Sequence, residues 1–150
     1  MEASEPNTAD RIKEARIKIG LTAKYVADKM KLNIEAYDDL ESYSDEAFMC
    51  VSLKQLKILS KLLSVRLIDL VVNEPQKINE TRITVEILVE RIKNSIIENS
   101  ETVGEFNERA GWDITSALNN AENIWTDWNL DQLREVSSMV DVNWKNVLIS

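Results

Sequence analysis

Apolar residues recur along most of this chain at three- and four-residue intervals, the spacing that gathers them on one side of an α-helix. Ile12, Ala15 and Ile19 form the first stripe, with Thr8 as a candidate N-cap and Gly20 as the stop. Thr22 is placed to cap a second helix with Val26, Ala27 and Met30 inward, and Leu32 follows in the turn. Asn33 is placed to cap a third helix with Ala36, Tyr37 and Leu40 inward, before a loop over 42–50. Ser52 and Gln55 form a capping box for a fourth helix, whose apolar side is Leu53, Leu56, Leu59, Leu62 and Leu63. Leu67, Leu70 and Val71 mark a short fifth.

The stretch Asn73-Glu74-Pro75-Gln76-Lys77 breaks the pattern and reads as a linker. Beyond it the order of elements repeats. Thr81 is the candidate cap of a long helix over 82–99, with Val85, Leu88, Val89, Ile92 and Ile96 as its seam. Arg11-Ile12-Lys13 recurs as Arg91-Ile92-Lys93, and Thr102 with Glu105 forms a capping box where Thr22 stands in the first copy. Val26 matches Phe106, Leu32 matches Trp112, and Ser52-Leu53-Lys54-Gln55-Leu56 returns as Asn129-Leu130-Asp131-Gln132-Leu133. The offset falls from 80 to 77 residues on the way, a change expected in the connecting loop, where length is cheap to alter. In the third helix of the second copy the counterpart of Glu41 is either Ala121, without a gap, or Glu122, with one residue inserted near Asp113; the gapped register keeps Leu118 and Ala121 three apart, like Tyr37 and Leu40, and is preferred. These signals predict two all-α units of five helices each, over 1–75 and 76–150.

Composition supports helices. Three Gly and two Pro are too few for the tight turns of a sheet protein of 150 residues. No apolar run reaches the length of a membrane span. The acidic, polar N-terminus lacks the pattern of a secretory signal, and the single Cys50 cannot form an internal disulfide, so the expected location is cytoplasmic. Without any His, and with one Cys, the chain lacks the usual general base and the usual zinc ligands. A non-enzymatic protein with no metal and no cofactor is the expectation.

Residues 11–71 resemble the helix-turn-helix domain of the lambda-repressor-like, xenobiotic-response-element family. The string RIKEARIKIGLTAKYVADKMKLNIEAYDDLES, followed by VSLKQLKILSKLLSVRLIDLV, carries the likeness. It includes the Gly20-Leu21-Thr22 entry to the second helix, the Val26-Ala27 pair and the Leu40-Glu41 pair. The resemblance implies a buried structural ion pair between Arg16 and Glu41, and a third helix that enters the DNA major groove. In the second copy Ile96 stands in place of the Arg.

Charge disagrees with DNA. The net charge is −8, and neither half has a basic surplus: residues 1–75 hold 11 basic and 13 acidic residues, 76–150 hold 7 and 13. At the positions the family uses to read bases stand Glu35, Asp38, Asp39 and Ser42, and Asp45 and Glu46 extend the stripe. Phosphates would repel this face. The expected partner is therefore a protein with a basic surface, as for an immunity protein, antitoxin or anti-repressor. The alternative is a DNA-binding regulator that uses Asn33, Lys24, Lys29 and Lys31 in the first copy and Asn119 and Asn120 in the second. The lysines also fit an ordinary mixed-charge surface, and the amides a solvated helix. Trp112 and Trp144 replace Leu32 and Leu67 and are expected in the core. Trp125 and Trp128 read either as loop anchors or as a contact patch for a partner. No oligomeric state follows from the sequence.

Overall fold

The computed structural model describes residues 7–72 and 82–149, and among them every regular element is helical. In the first half α1 spans Thr8–Ile19, α2 Ala23–Met30, α3 Ile34–Ser42, α4 Glu46–Met49, α5 Leu53–Leu63 and α6 Leu67–Val71. In the second, α7 spans Val85–Glu98, α8 Val103–Ala110, α9 Thr115–Asn119, α10 Asn123–Asp127, α11 Leu130–Met139 and α12 Trp144–Leu148. Among the described residues each half thus has six helices where the periodicity predicts five. The additional helices, α4 and α10, are too short for any periodicity to register and lie inside the expected loop.

The caps explain where the helices begin and end. Thr22, Asn33, Ser52, Thr102 and Asn129 each accept a hydrogen bond from the backbone N–H three residues on, which satisfies an otherwise orphaned donor. The boxes Ser52–Gln55 and Thr102–Glu105 close reciprocally. Two caps differ from expectation. Asn7 caps α1, and Thr8 is its first residue, buried, because the longer amide reaches the Asp10 N–H from one residue earlier. Thr84 caps α7, while Thr81 lies outside the described residues.

The strongest sign of internal repetition is in the backbone. Among the described residues six have positive φ, and they fall into three pairs: Gly20 with Ser100, Lys31 with Gly111, and Ser64 with Asp141. The sequence offsets are 80, 80 and 77. Each pair ends the corresponding helix, or the turn just after it, in the left-handed conformation. The three-residue contraction falls at the third helix itself rather than in a loop alone. Helix α3 has nine residues and α9 has five. Asn120 stops α9 by leaving the helical conformation, and its side chain accepts the Glu122 N–H. Burial also corrects the register: Ala117 is fully buried, whereas Leu118, aligned with Tyr37 in the gapped reading, is half-buried, as is Ala121. Ile19 and Ile96, expected inward, are exposed and half-buried respectively, because the last turns of α1 and α7 run past the core.

One apolar cluster runs through both halves. The seam between them is built by exchange: α5 packs on α10, α11 on α4, and α6 on α12. Since α11 corresponds to α5 and α10 to α4, the first two contacts are the same contact with the halves interchanged, and the third is its own counterpart. Individual side chains follow the rule. Lys57 places its ammonium 3.8 Å from the centroid of the Trp125 ring, and its counterpart Arg134 lies 5.3 Å from the ring of Phe48, the counterpart of Trp125. Hydrogen bonds stitch the same edges, from the Leu53 backbone N–H to Trp128 O at 2.9 Å and from the Asn129 side-chain Nδ2 to Met49 O at 3.0 Å. Such an isologous arrangement is the geometry of a twofold dimer, here within one chain.

A side chain in the left-handed region costs free energy that glycine avoids. Lys31→Gly and Ser100→Gly each install the residue that the other half already carries. Each is expected to stabilise the fold by about 0.5–1 kcal/mol. Chemical denaturation measures it; a loss of stability in both would mean that these side chains make contacts outweighing the backbone strain.

Candidate functional site

Helix α3 is amphipathic, with Tyr37 and Leu40 in the core and a charged outer side. Glu35, Asp38, Asp39, Ser42 and Asp45 are exposed and Glu46 is half-buried. None of these carboxylates has an ion-pair partner among the described residues. The Ser42 hydroxyl donates to Asp38 O at 2.9 Å and is thereby turned back onto its own helix. Exposed apolar side chains flank the stripe: Ile34 before it, Tyr43 after it and Met49 on α4. The Cys50 thiol lies beside the same charges. Its pKa is held above the ordinary value, first by its interaction with Glu46, then by partial burial and by the charges of Glu46 and Asp39. A thiol in this setting stays protonated and is a poor nucleophile.

What fixes α3 is the pair that the sequence singled out. Arg16 on α1 meets Glu41 near the end of α3 in a bidentate fork, Nε to Oε2 at 2.7 Å and Nη2 to Oε1 at 3.0 Å. Its remaining nitrogen, Nη1, donates to Leu21 O at 2.9 Å. The two side chains are 15% and 9% exposed, so the guanidinium ties α1, the α1–α2 turn and α3 together in a poorly solvated place. The Tyr37 hydroxyl is buried against this pair without meeting hydrogen-bond geometry to either member. Burial, and then the Glu41 carboxylate, push its pKa far above the usual value. The second half lacks both the Arg and the last turn of the helix, and α9 is held differently. Asn107 bonds Asp113 and the Ile114 N–H, and Asn123 donates to Ser116, whose hydroxyl reaches Asp127 at 2.9 Å.

The residues expected to touch DNA lie on and just after α2, at the start of α3, and at the end of α9. Lys24 and Lys29 are exposed on α2, and Lys31 ends that helix in the left-handed conformation. Lys29 lies over the Tyr25 ring at 5.4 Å. The Asn33 side chain is engaged as a cap, accepting the Ala36 N–H at 2.7 Å. Asn120 is engaged in its turn, and Asn119 alone of these amides has no side-chain hydrogen bond among the described residues.

Trp125 and Trp128 are not on the surface. They are 9% and 2% exposed, seated in the seam between the halves, so the anchor reading fits and a contact patch has no free ring to offer. Trp112 stands edge-on to Trp128 with ring centroids 5.8 Å apart. Trp112 and Trp144, expected in the core, are only half-buried. Leu32, the counterpart of Trp112, is itself half-buried, whereas Leu67, the counterpart of Trp144, is buried. The seam itself was missed by sequence reasoning. The one available signal was Phe48 recurring as Trp125 and Val51 as Trp128, large apolar residues in what reads as loop. No metal-binding group of three or more His, Cys, Asp or Glu occurs among the described residues, and no described helix is long and apolar enough to cross a membrane.

Removing one member of a buried ion pair leaves the other uncompensated. Glu41→Ala is expected to cost about 3–5 kcal/mol in denaturant unfolding. Tyr37→Phe, which deletes a hydroxyl without a hydrogen bond, is expected to be neutral or slightly stabilising. A loss below about 0.5 kcal/mol for Glu41→Ala would assign the pair to solvent rather than to the fold. Comparison of the chain with protein-family models, with curated proteins and with solved structures finds no match.

Proposed function

We propose that this chain is a non-catalytic binding protein built from two repressor-like helix-turn-helix units, over 1–75 and 76–150, whose acidic third helix meets a basic protein. The single observation that carries the reading is the stripe of Glu35, Asp38, Asp39 and Asp45, exposed together and without ion-pair partners among the described residues. Unpaired carboxylates on one face raise the potential against phosphates and attract a cationic surface, with fast association that weakens as salt rises. The helix-turn-helix assignment is supported by the α2–α3 pairing after a Gly20-Leu21-Thr22 turn and by the Arg16–Glu41 fork. An immunity protein, an antitoxin or an anti-repressor acts through such a face, in the cytoplasm and without a cofactor.

A DNA-binding regulator is the second reading. It is favoured by the exposed Lys24, Lys29 and Lys31 around α2 and by the unengaged Asn119 on α9. Against it, the surface of α3 supplies no counterion release.

The double charge reversal Asp38→Lys with Asp39→Lys separates the two. Affinity capture from the native host, with wild type and variant side by side, is expected to lose its basic partner in the variant. Fluorescence anisotropy with duplex DNA is expected to give only weak, unselective binding for the wild type. Tight, sequence-selective duplex binding by the wild-type chain at physiological salt, lost on replacing Glu35 by Ala, would establish the regulator instead.

A further inference from the structure

Where α5 ends and the chain turns into α6 lies a cleft of about 310 Å³. Lys57, Lys61, Ser64, Val65 and Arg66 line it, and none of the described residues around it is acidic. Lys57, Lys61 and Ser64 follow one another at helical spacing, which sets them on one face of α5 and its cap. Such a gathering of positive charge is the exception on a chain of net charge −8.

The chain itself does not neutralise these charges. Arg66 is bound to Asp69 by a bidentate pair, so that carboxylate is already engaged. Lys57, Lys61 and the nearby Arg82 have no ion pair among the described residues. Trp125 covers the Lys57 ammonium at 3.8 Å with a ring that carries no net charge. The Lys57 pKa is held below its ordinary value, first by burial; Glu122 opposes this, and the like charges of Lys61 and Arg82 add to it. The Ser64 hydroxyl also lacks a hydrogen-bond partner among the described residues.

The second half shows that the fold does not require the charges. Lys57, Lys61, Ser64 and Arg66 correspond to Arg134, Ser138, Asp141 and Asn143. Three positive charges and no negative one thus stand against one of each. The backbone is alike, with φ of 55° at Ser64 and 56° at Asp141. Helix α11 closes with Ser138 where α5 has Lys61. The cations of the first half therefore point to a ligand rather than to packing.

A recess lined by one sign of charge focuses its field. A phosphate group brings close to two negative charges and three acceptor oxygens, which suits two ammonium groups, a guanidinium and a hydroxyl around one cleft. A carboxylate brings a single charge. Duplex DNA presents its phosphates in a row and is matched by cations along a stripe, not around one recess. The volume leaves room beyond the phosphate itself, beside half-buried Val65.

We infer that the cleft at the α5–α6 turn binds a phosphate group, free or carried by a small molecule, through Lys57, Lys61, Arg66 and the Ser64 hydroxyl. Lys57 faces Trp125 of the other half, so the anion binds beside the seam. The reading of α3 as a protein-binding face is not needed for it.

Amide NMR of the isotope-labelled full chain, titrated with inorganic phosphate and with ribose phosphate at constant ionic strength, tests it. The Ser64 and Val65 amides are expected to shift saturably, with a Kd below about 1 mM for at least one of the two. Tighter binding of the ester would assign the site to a phosphorylated small molecule, and tighter binding of the ion to free phosphate. Lys61→Ser and Ser64→Asp install residues that the second half holds on the same backbone, so both are expected to fold. They are expected to weaken binding about fivefold and about tenfold. Lys93→Gln, which removes an exposed charge on α7 outside the cleft, is expected to leave binding unchanged. Equal weakening in all three variants, or acetate bound as tightly as phosphate, would overturn the inference. So would the absence of saturation with both phosphates, including the case in which only duplex DNA moves these amides.

Discussion

The rest of the structure depends on the seam, where each half lends the other a wall of its core. A helical unit of some sixty residues leaves a large fraction of its apolar surface uncovered. Here α5, α6 and their counterparts, packed on one side by helices of their own half, are covered on another by the opposite half. Trp125 and Trp128 complete packing that begins on the first half, and Lys57 and Arg134 lay their charges over rings belonging to the other side. Because the continuous cluster includes Leu53, Leu56 and Leu130 as well as the seam indoles, disturbing this junction reaches the interior of both halves.

Much of this was legible in the sequence, for a physical reason: capping and left-handed turns are local. Thr22, Asn33, Ser52 with Gln55, and Thr102 with Glu105 do what their position demands, since an orphaned N–H is satisfied within three residues. The Arg16–Glu41 fork was visible only through a family resemblance, because nothing local links residues 25 apart in sequence. What stayed hidden is tertiary. Helices α4 and α10 are single turns with no side-chain cap, held by the neighbours they touch. The shortening of α9 could not be told from a loop deletion while Leu118 and Ala121 kept a helical spacing.

For the candidate surface, the acidic character of α3 was plain from the sequence, and its full exposure follows from the burial of Tyr37 and Leu40 behind it. The assignment of the tryptophans was not plain. Burial follows the depth of each position and not the residue type, so the pair in the short loop helix went inside while the pair that replaces leucines stayed partly out.

The exchange of α5–α10 for α11–α4 has a consequence for how such a molecule can change. In a twofold pair of separate identical chains, every substitution appears on both sides of the axis, and association is set by concentration. Joined in one chain, the halves meet as an intramolecular event, at an effective concentration fixed by the connector and indifferent to dilution. Each side is then free of the requirement to match itself. A lysine can persist opposite Trp125 while its mirror position is arginine against phenylalanine, and α3 can be acidic while α9 is four residues shorter, with the pairing that holds the halves kept throughout.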